Sequence, residues 1–514
     1  MTGRGAAIGG GGGRSAILDV LEQIALRDGQ VVHVESLAAR EAAFRDPELP
    51  LPEALREGLL RLGVERLYTH QAQTLDAVRQ GRHVVVVTGT ASGKTLCYNL
   101  PVLEGVLADT GSRALYLFPT KALAQDQLKS LKRLAGEPPE RAGRGRRRAP
   151  GRGGAAGVTG NVMADVTAGA ASLPAGAASA GEGDGELGGF FRAGTYDGDT
   201  PASLRARLRE QANILLTNPD MLHSGILPHH ARWAGFFHRL RFVVIDEIHV
   251  YRGIFGSHVA NVLRRLRRVC RHHGADPIFI CASATIANPR ELAEKLVGAP
   301  FEVVDTDGAP RGRKHFVFWN PPRMGEAGME RRSSNLEGEH IMLRLLQEGY
   351  QAIAFVRTRA MTEVLLRYLQ EDLRRDGGGL ASRVRAYRAG YLPEERRKIE
   401  AALFNGELLG VISTNALELG IDVGSLDAAI LIGYPGTIAS TWQQAGRAGR
   451  RSADAVAVLL AHNSPIDQYL MANPDYFFGR NPEQAILDPG NPHILVNHLR
   501  CAAFEIPIRR EEEA

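Results

Sequence analysis

At 514 residues the chain is too long for one hydrophobic core, and roughly 150 residues per domain points to about three domains. Its 62 basic and 57 acidic residues leave a formal charge of +5, which permits a polyanionic partner without requiring one. No apolar run approaches the roughly 18–20 residues of a membrane span, and the Gly-rich residues 1–14 lack the apolar centre of a signal peptide. Neither a membrane protein nor an exported one is expected. The four cysteines (Cys97, Cys270, Cys281 and Cys501) form no CxxC pair, which fits a reducing cytoplasm and supplies neither a zinc site nor a disulfide framework.

Residues 1–14 read as a disordered tail. A strand is expected at Val31-Val32-His33-Val34, and a helix over 52–62 with Leu55, Leu59, Leu60 and Leu62 as its apolar positions. Then comes Leu67-Tyr68-Thr69-His70-Gln71. The Gln71 amide both donates and accepts, so it can read an adenine edge with Tyr68 stacked on the ring. An ordinary polar helix start is the plainer alternative. Four valines, Val84 to Val87, read as a strand buried on both faces. The strand leads into Thr88-Gly89-Thr90-Ala91-Ser92-Gly93-Lys94-Thr95, and an apolar helix follows. Strand, small-residue loop and helix make a phosphate cradle. Backbone N–H groups and the helix N-terminus face the phosphates, Lys94 adds a point charge, and the Thr95 hydroxyl can hold Mg²⁺. The P-loop pattern has glycine where Thr88 stands here.

A second buried strand, Ala114 to Phe118, ends in Pro119-Thr120-Lys121. Thr120 and Lys121, where strand gives way to helix, are placed to bind a phosphodiester backbone; a solvated loop is the alternative. Between 136 and 190, Gly, Ala and Arg dominate, and Arg141, Arg144, Arg146, Arg147, Arg148 and Arg152 cluster. That segment reads as a disordered insertion, either merely solvated or adding salt-dependent nucleic-acid affinity. A strand through Leu215, Leu216 and Thr217 turns at Asn218-Pro219. Next, a buried strand through Val243, Val244 and Ile245 ends in Asp246-Glu247-Ile248-His249. In a P-loop protein the first carboxylate holds Mg²⁺ and the second activates the attacking water. The helix beyond carries Val259, Val262, Leu263, Leu266, Val269 and Cys270 on one face. Arg264, Arg265, Arg267 and Arg268 fall on the other, read first as a solvated face and second as a DNA contact. A strand over 277–281 then runs into Ala282-Ser283-Ala284-Thr285. Strands alternating with helices signal a parallel sheet with helices on both faces.

After a Gly/Pro/Arg-rich link over 305–313 the alternation starts again, with strands expected at 316–319, 352–356, 383–387, 410–414, 428–433 and 455–460. This second α/β domain has no P-loop of its own. It closes with Gln443-Gln444-Ala445-Gly446-Arg447-Ala448-Gly449-Arg450, where Arg447 and Arg450 suit a triphosphate bound on the first domain, as arginine fingers.

In this order the blocks resemble a superfamily 2 helicase of the DEAD/DEAH-box (DExH) type, over roughly residues 67–475. The resemblance implies an α/β fold of two tandem RecA-like (P-loop NTPase) domains with mainly parallel sheets. It divides the chain into an N-terminal extension (1–66), a first domain (67–304), a second (305–475) and the start of a truncated family-specific region (476–514). Tyr68 and Gln71 fall on the adenine-reading motif, and Thr88 to Thr95 on motif I. Asp246 and Glu247 fall on motif II, with His249, Ser283 and Thr285 as coupling residues. Gly420 and Asp422 are the nucleotide-facing positions of motif V, and Gln443, Arg447 and Arg450 belong to motif VI. Thr120, Lys121, Thr217, Thr358, Arg359 and Thr414 become candidate contacts to one nucleic-acid strand.

A narrower resemblance rests on Thr90-Ala91-Ser92-Gly93-Lys94, on residues 246–261 (DEIHVYRGIFGSHVAN) and on residues 491–505 (NPHILVNHLRCAAFE). These stretches are similar to the MrfA/YprA-type bacterial helicases, relatives of the RecQ-like fungal DNA-repair helicases. That family implies ATP and Mg²⁺ as cofactors and 3′-to-5′ unwinding of DNA on single-stranded or tailed duplex substrates. It also implies a role in repair beside other DNA-repair proteins, in the bacterial cytoplasm. Its four-cysteine zinc site is not expected in this chain, and duplex unwinding is less secured by the residues than DNA-stimulated ATP hydrolysis. RNA stays open as the alternative polymer, because backbone recognition dominates and the 2′-OH discriminator cannot be read from these residues.

Overall fold

The computed structural model describes residues 15–25, 29–89, 91–136, 191–324, 330–375, 377, 379–418, 426–449, 454–480 and 482–509. Among them stand two seven-stranded sheets, each flanked by helices. In the first, the strands run in the order Ala193–Thr195, Ile214–Thr217, Arg113–Leu117, Leu240–Ile245, Ile278–Ser283, Val84–Val87 and Glu302–Val304, all parallel. Val84 to Val87 are buried on both faces, one valine pair joining each of two cores, as a central parallel strand requires. Register brings Val87 beside Ser283 and Ile245 beside Cys281. The loop after the valines, the carboxylates after Ile245 and the Ser-Ala-Thr stretch therefore share one sheet edge. Ligands in such folds bind at the carboxyl ends of the strands.

The second sheet has the order Val31–Leu37, Lys314–Trp319, Ala455–Leu460, Ala428–Ile432, Ala352–Phe355, Gly410–Ser413 and Val384–Tyr387. All its pairings are parallel except the first. The two sheets are the tandem RecA-like arrangement.

The two ends of the chain attach crosswise. Val31–Leu37 reads locally as part of a leading extension, yet it pairs antiparallel with Lys314–Trp319 and completes the edge of the second sheet. The helix Ala16–Ile24 buries Ile17, Leu21 and Ile24 in the same domain's core. Residues after 480 do the reverse and return to the first domain. Ala485 and Leu487 enter its core, Ala485 exchanges two hydrogen bonds with the Asn288 side chain, and Gly253 N–H donates to Ile486 O. The helix Pro492–Glu505 then lies along Gly253–His272. The link between the domains is pinned as well: Arg40 ion-pairs with Asp307 at 2.8 Å, and Gly308 packs so tightly that a Cβ there would stand 2.5 Å from Ala43 O.

The arginines of the helix Gly253–His272 correct the expectation of a solvated face. Arg265 is 3% exposed and pairs with Glu505 through Nε and Nη2, while His223 Nδ1 lies 2.7 Å from its Nη1. Arg267 donates to Val297 O and Gly298 O, and Arg268 to Ala502 O and Ile506 O. Arg265, Arg267 and Arg268 fasten the C-terminal helix and a neighbouring helix end, and only Arg264 of the four is exposed and keeps the expected solvated position. His498 on the C-terminal helix completes this cluster beside Arg265, His223 and His258. Burial first, then the charges of Arg265, His223 and His258, pulls its pKa down to about 4. An unfolded histidine binds its proton near pH 6.5, so between there and about pH 4 only the undocked state is protonated at this site. Docking of the C-terminal helix is therefore expected to weaken as pH falls from 6.5 toward 4 and to be insensitive to pH above 6.5. Protection of residues 492–505 from protease across that range measures it, and a His498→Gln variant should flatten the dependence.

Candidate ATP site and nucleic-acid face

The loop after Val87 is held open by its own side chains. Thr88, which stands at the usual glycine position, is buried, and its hydroxyl meets the Ser92 hydroxyl at 2.6 Å. That bond lets a threonine occupy the turn. Ala91 (φ +59°) and Gly93 (φ +79°) both adopt the left-handed conformation. The Lys94 ammonium folds onto Thr88 O at 2.9 Å and Gly89 O at 3.2 Å, so it lies inside the loop where phosphate oxygens would compete for it. Helix Lys94–Ala108 starts at Gly93 and points its N-terminal N–H groups into the same space.

Gln71 is 2% exposed and already linked to this loop. It donates to Gly93 O at 3.1 Å and accepts from Tyr68 N–H at 2.9 Å, which leaves one donor and one lone pair for a nucleotide base. The Tyr68 ring stacks on Phe44 at 5.5 Å and on His70 at 6.0 Å. Gly93 is the position where a methyl group has no room, since a Cβ would stand 2.7 Å from Gln71 Nε2. Gly93→Ala is expected to cost about 1–2 kcal/mol for the left-handed residue alone. It should also displace Gln71. Equilibrium unfolding and nucleotide titration measure the two effects, and both should worsen.

Glu247 also has a positive φ of +52°. Ala91 and Glu247 are the only non-glycine residues in that region among the described residues, and both lie at this site. Backbone strain of this kind persists where the surrounding structure enforces a functional geometry. Asp246 is buried, and its Oδ2 accepts from the Tyr98 hydroxyl at 3.1 Å. Burial, reinforced by the Glu247 charge, pushes the Asp246 pKa well above the usual carboxylate range. Glu247 Oε2 is buried without a hydrogen-bond partner. Two adjacent carboxylates with an unsatisfied oxygen, opposite Lys94 and Thr95, are a hard-oxygen donor set that fits Mg²⁺. The cation would be held by Asp246 and Thr95.

His249 joins three elements. Its Nδ1 accepts from Ala284 N–H at 3.2 Å, tying the Asp-Glu strand end to the Ser-Ala-Thr stretch. Its other nitrogen, Nε2, therefore carries the proton and stands 2.5 Å from the end of the Gln443 side-chain amide, whose oxygen is the atom that accepts from it. Gln443 belongs to the second domain, so this is a direct bond across the cleft. Burial keeps the His249 pKa below its ordinary value, which preserves the single-proton form that the bridge needs. Ser283 is fully buried and donates to Ala284 O, whereas Thr285 is exposed. Arg447 donates to Glu418 O at 2.7 Å, and Glu418 in turn receives Ser440 and Gln444. Thr90, Gly420, Asp422 and Arg450 lie outside the described residues, as does the arginine cluster of 141–152.

The candidate strand contacts divide. Thr120 caps the helix Lys121–Leu134, and the exposed Lys121 ammonium pairs with Asp199 at 2.8 Å. Thr358 and Arg359 are exposed at the end of Ala352–Phe355. Thr414 is 8% exposed at the end of Gly410–Ser413. All these positions follow the carboxyl ends of parallel strands. Thr217 does not fit its expected role. It is 2% exposed and its hydroxyl donates to Tyr196 O at 2.6 Å, because this last residue of the strand points into the sheet layer. Two other residues went unremarked in the sequence. Phe44 shares the Tyr68 platform, and His70 joins the phosphate loop (Ser92 O, 3.1 Å) to the interdomain link (Gly308 N, 3.2 Å).

A phosphate loop and paired acids on one RecA-like domain, with a glutamine reaching them from a second, define a two-domain P-loop NTPase of the DExH kind. Residues 68–146 and 186–292 match the DEAD/DEAH box helicase family, and residues 337–452 match the helicase conserved C-terminal domain. The chain belongs to the DEAD/DEAH-box helicases of superfamily 2. Residues 487–514 match the winged helix domain of the ATP-dependent helicase HRQ1. The chain is 46% identical over 483 residues to the ATP-dependent helicase YprA of Bacillus subtilis (strain 168), covering 94% of this chain and 58% of that relative. It is 37% identical over 504 residues to the ATP-dependent helicase hrq1 of Schizosaccharomyces pombe (strain 972), covering 96% of this chain and 43% of that relative. Among solved structures, the DUF1998 helicase MrfA bound to DNA and AMPPNP superposes with a TM-score of 0.83 at 45% identity, covering 97% of this chain and 62% of that one. The chain thus spans less than two thirds of each of these relatives. No helix among the described residues is long and apolar enough to cross a membrane.

Proposed function

We propose that the chain is the motor of an ATP-dependent DNA helicase, moving 3′ to 5′ along single-stranded or tailed duplex DNA in DNA repair. The observation that carries the reading is the His249–Gln443 bond, which couples the carboxylate pair of one domain to the second domain across the cleft. ATP would lie against the phosphate loop, with Lys94 released from the loop carbonyls to the phosphates and Gln71 and Tyr68 at the base. Mg²⁺, when bound, neutralises phosphate charge. Glu247 orients and deprotonates the attacking water. Arg447, and Arg450 three residues on in sequence, complete the site from the second domain, so hydrolysis requires the cleft to close. Each opening and closing changes the spacing between Thr120 and Lys121 on one domain and Thr358, Arg359 and Thr414 on the other. Contacts of this type hold a sugar–phosphate backbone without reading sequence, as a motor needs.

DNA is favoured over RNA because the similar MrfA structures are described as bound to DNA. The repair role, other repair proteins as partners and a cytoplasmic location rest on the family resemblance. Strand displacement on duplexes with a 3′ or a 5′ single-stranded tail tests the reading. The 3′-tailed DNA should be unwound with ATP, while preference for 5′ tails or for RNA would reject the polarity or the polymer.

A further inference from the structure

The first domain carries a cluster of histidines far from the nucleotide motifs. His230, on the segment Leu227–Trp233, meets His272 and His273 at the end of the helix Gly253–His272. One ring nitrogen from each lies within 4.8 Å of the others, and this is the only such grouping of three ligand side chains among the described residues. His230 Nδ1 stands 3.0 Å from His273 Nε2. His230 Nε2 stands 2.7 Å from Glu505 O, a carbonyl that can only accept, so Nε2 carries the proton and Nδ1 presents its lone pair to the cluster. A backbone carbonyl that fixes the tautomer of an imidazole in this way is the usual outer partner of a metal-bound histidine.

A second, independent feature is electrostatic. The 20-residue helix Gly253–His272 and the 14-residue helix Pro492–Glu505 both end at the cluster. Helix C-termini carry partial negative charge and favour cations. Arg268 already takes Ala502 O and Ile506 O, and His238 Nδ1 lies 3.0 Å from His273 O. Among the described residues no carboxylate joins the cluster. Its ligands are three imidazoles, and His272 is exposed and leaves one side open to water.

We infer that His230 Nδ1, His273 Nε2 and a His272 ring nitrogen form a site for one late first-row divalent cation, best suited to Zn²⁺, with a water in the fourth position. Zn–N bonds of about 2.0–2.1 Å in a tetrahedron set ligand nitrogens roughly 3.3–3.4 Å apart. The 3.0 Å pair therefore opens by only a few tenths of an ångström. On binding, His273 shifts its one proton from Nε2, where it faces His230 Nδ1 in the metal-free chain, to Nδ1 and gives Nε2 to the metal. Because His230 holds Glu505 O, the bound cation fastens the end of the C-terminal helix to the first domain. The site is independent of the nucleotide chemistry.

The test is calorimetric titration of Zn²⁺ into the chain, purified without a polyhistidine tag and stripped of metal, with Co²⁺ absorption reporting the geometry. One Zn²⁺ per chain should bind, a tetrahedral Co²⁺ spectrum should appear, and the thermal midpoint should rise with Zn²⁺. Loss of an outer partner alone weakens a metal site by about 10–100-fold, so His272→Ala should weaken binding by at least about ten-fold. Its exposed side chain makes it a mild change to the fold. His272→Ala/His273→Ala should abolish the site, while His238→Ala should leave it. Absence of Zn²⁺ binding to the unmodified chain, or unchanged binding in the double variant, overturns the proposal.

Discussion

Glu247→Gln is expected to bind ATP and single-stranded DNA and to turn ATP over about 10²- to 10⁴-fold more slowly, the range a general base supplies. The argument starts from geometry. Glu247 follows a buried parallel strand, is held at φ +52°, and keeps one carboxylate oxygen buried without a hydrogen-bond partner. That is an expensive state for a carboxylate that only supports the fold, since an unsatisfied buried acceptor costs about 1–3 kcal/mol or more. Glutamine preserves shape and hydrogen-bonding capacity but cannot take a proton from water. Stability should therefore hold or rise while turnover falls. Lys94→Ala should lose turnover through a different term, weaker ATP binding. Steady-state turnover and nucleotide titration on the two variants separate the roles, and wild-type turnover in Glu247→Gln would remove Glu247 from the chemistry.

Arg265→Ala should produce the largest loss of stability of any substitution outside the nucleotide site. Arg265 and Glu505 are 3% and 1% exposed at their side chains. Removing one partner of such a pair leaves a buried, unpaired charge and costs about 3–5 kcal/mol. Here the loss falls on one joint, the contact between the C-terminal helix and the first domain. The thermal midpoint should drop, and residues 492–505 should become the first segment cut by protease. Replacing both partners, as Arg265→Leu with Glu505→Leu, should recover much of the loss, because no charge is then stranded. If the double variant is as unstable as the single one, packing and not the ion pair holds the helix.

Much of this was legible in the residues. Four consecutive valines before a Gly-Lys-Thr, and Val-Val-Ile before Asp-Glu, announce buried parallel strands whose ends carry the chemistry, and both stand where the pattern puts them. What local pattern cannot give is partnership over distance. Val31–Leu37 pairs with a strand about 280 residues later, and the helix Pro492–Glu505 returns about 240 residues to Gly253–His272; nothing in either stretch names its partner. Arg265 follows from the same gap, since a charged stripe looks solvated until the element covering it is known. Thr217 failed for a smaller reason: whether a strand-end hydroxyl faces solvent or the sheet depends on its direction at a single residue. His70 and Phe44 gave no signal because each acts by touching residues on other segments.

The central claim is that both domains act on one ATP and that DNA drives the cycle. Steady-state ATP turnover of the unmodified chain, with and without single-stranded DNA, tests it most directly. Turnover should rise severalfold or more with DNA, and Gln443→Ala, which breaks the bond across the cleft, should suppress that rise more than it weakens ATP binding. Turnover unchanged by DNA, or stimulation that survives intact in Gln443→Ala, would contradict it.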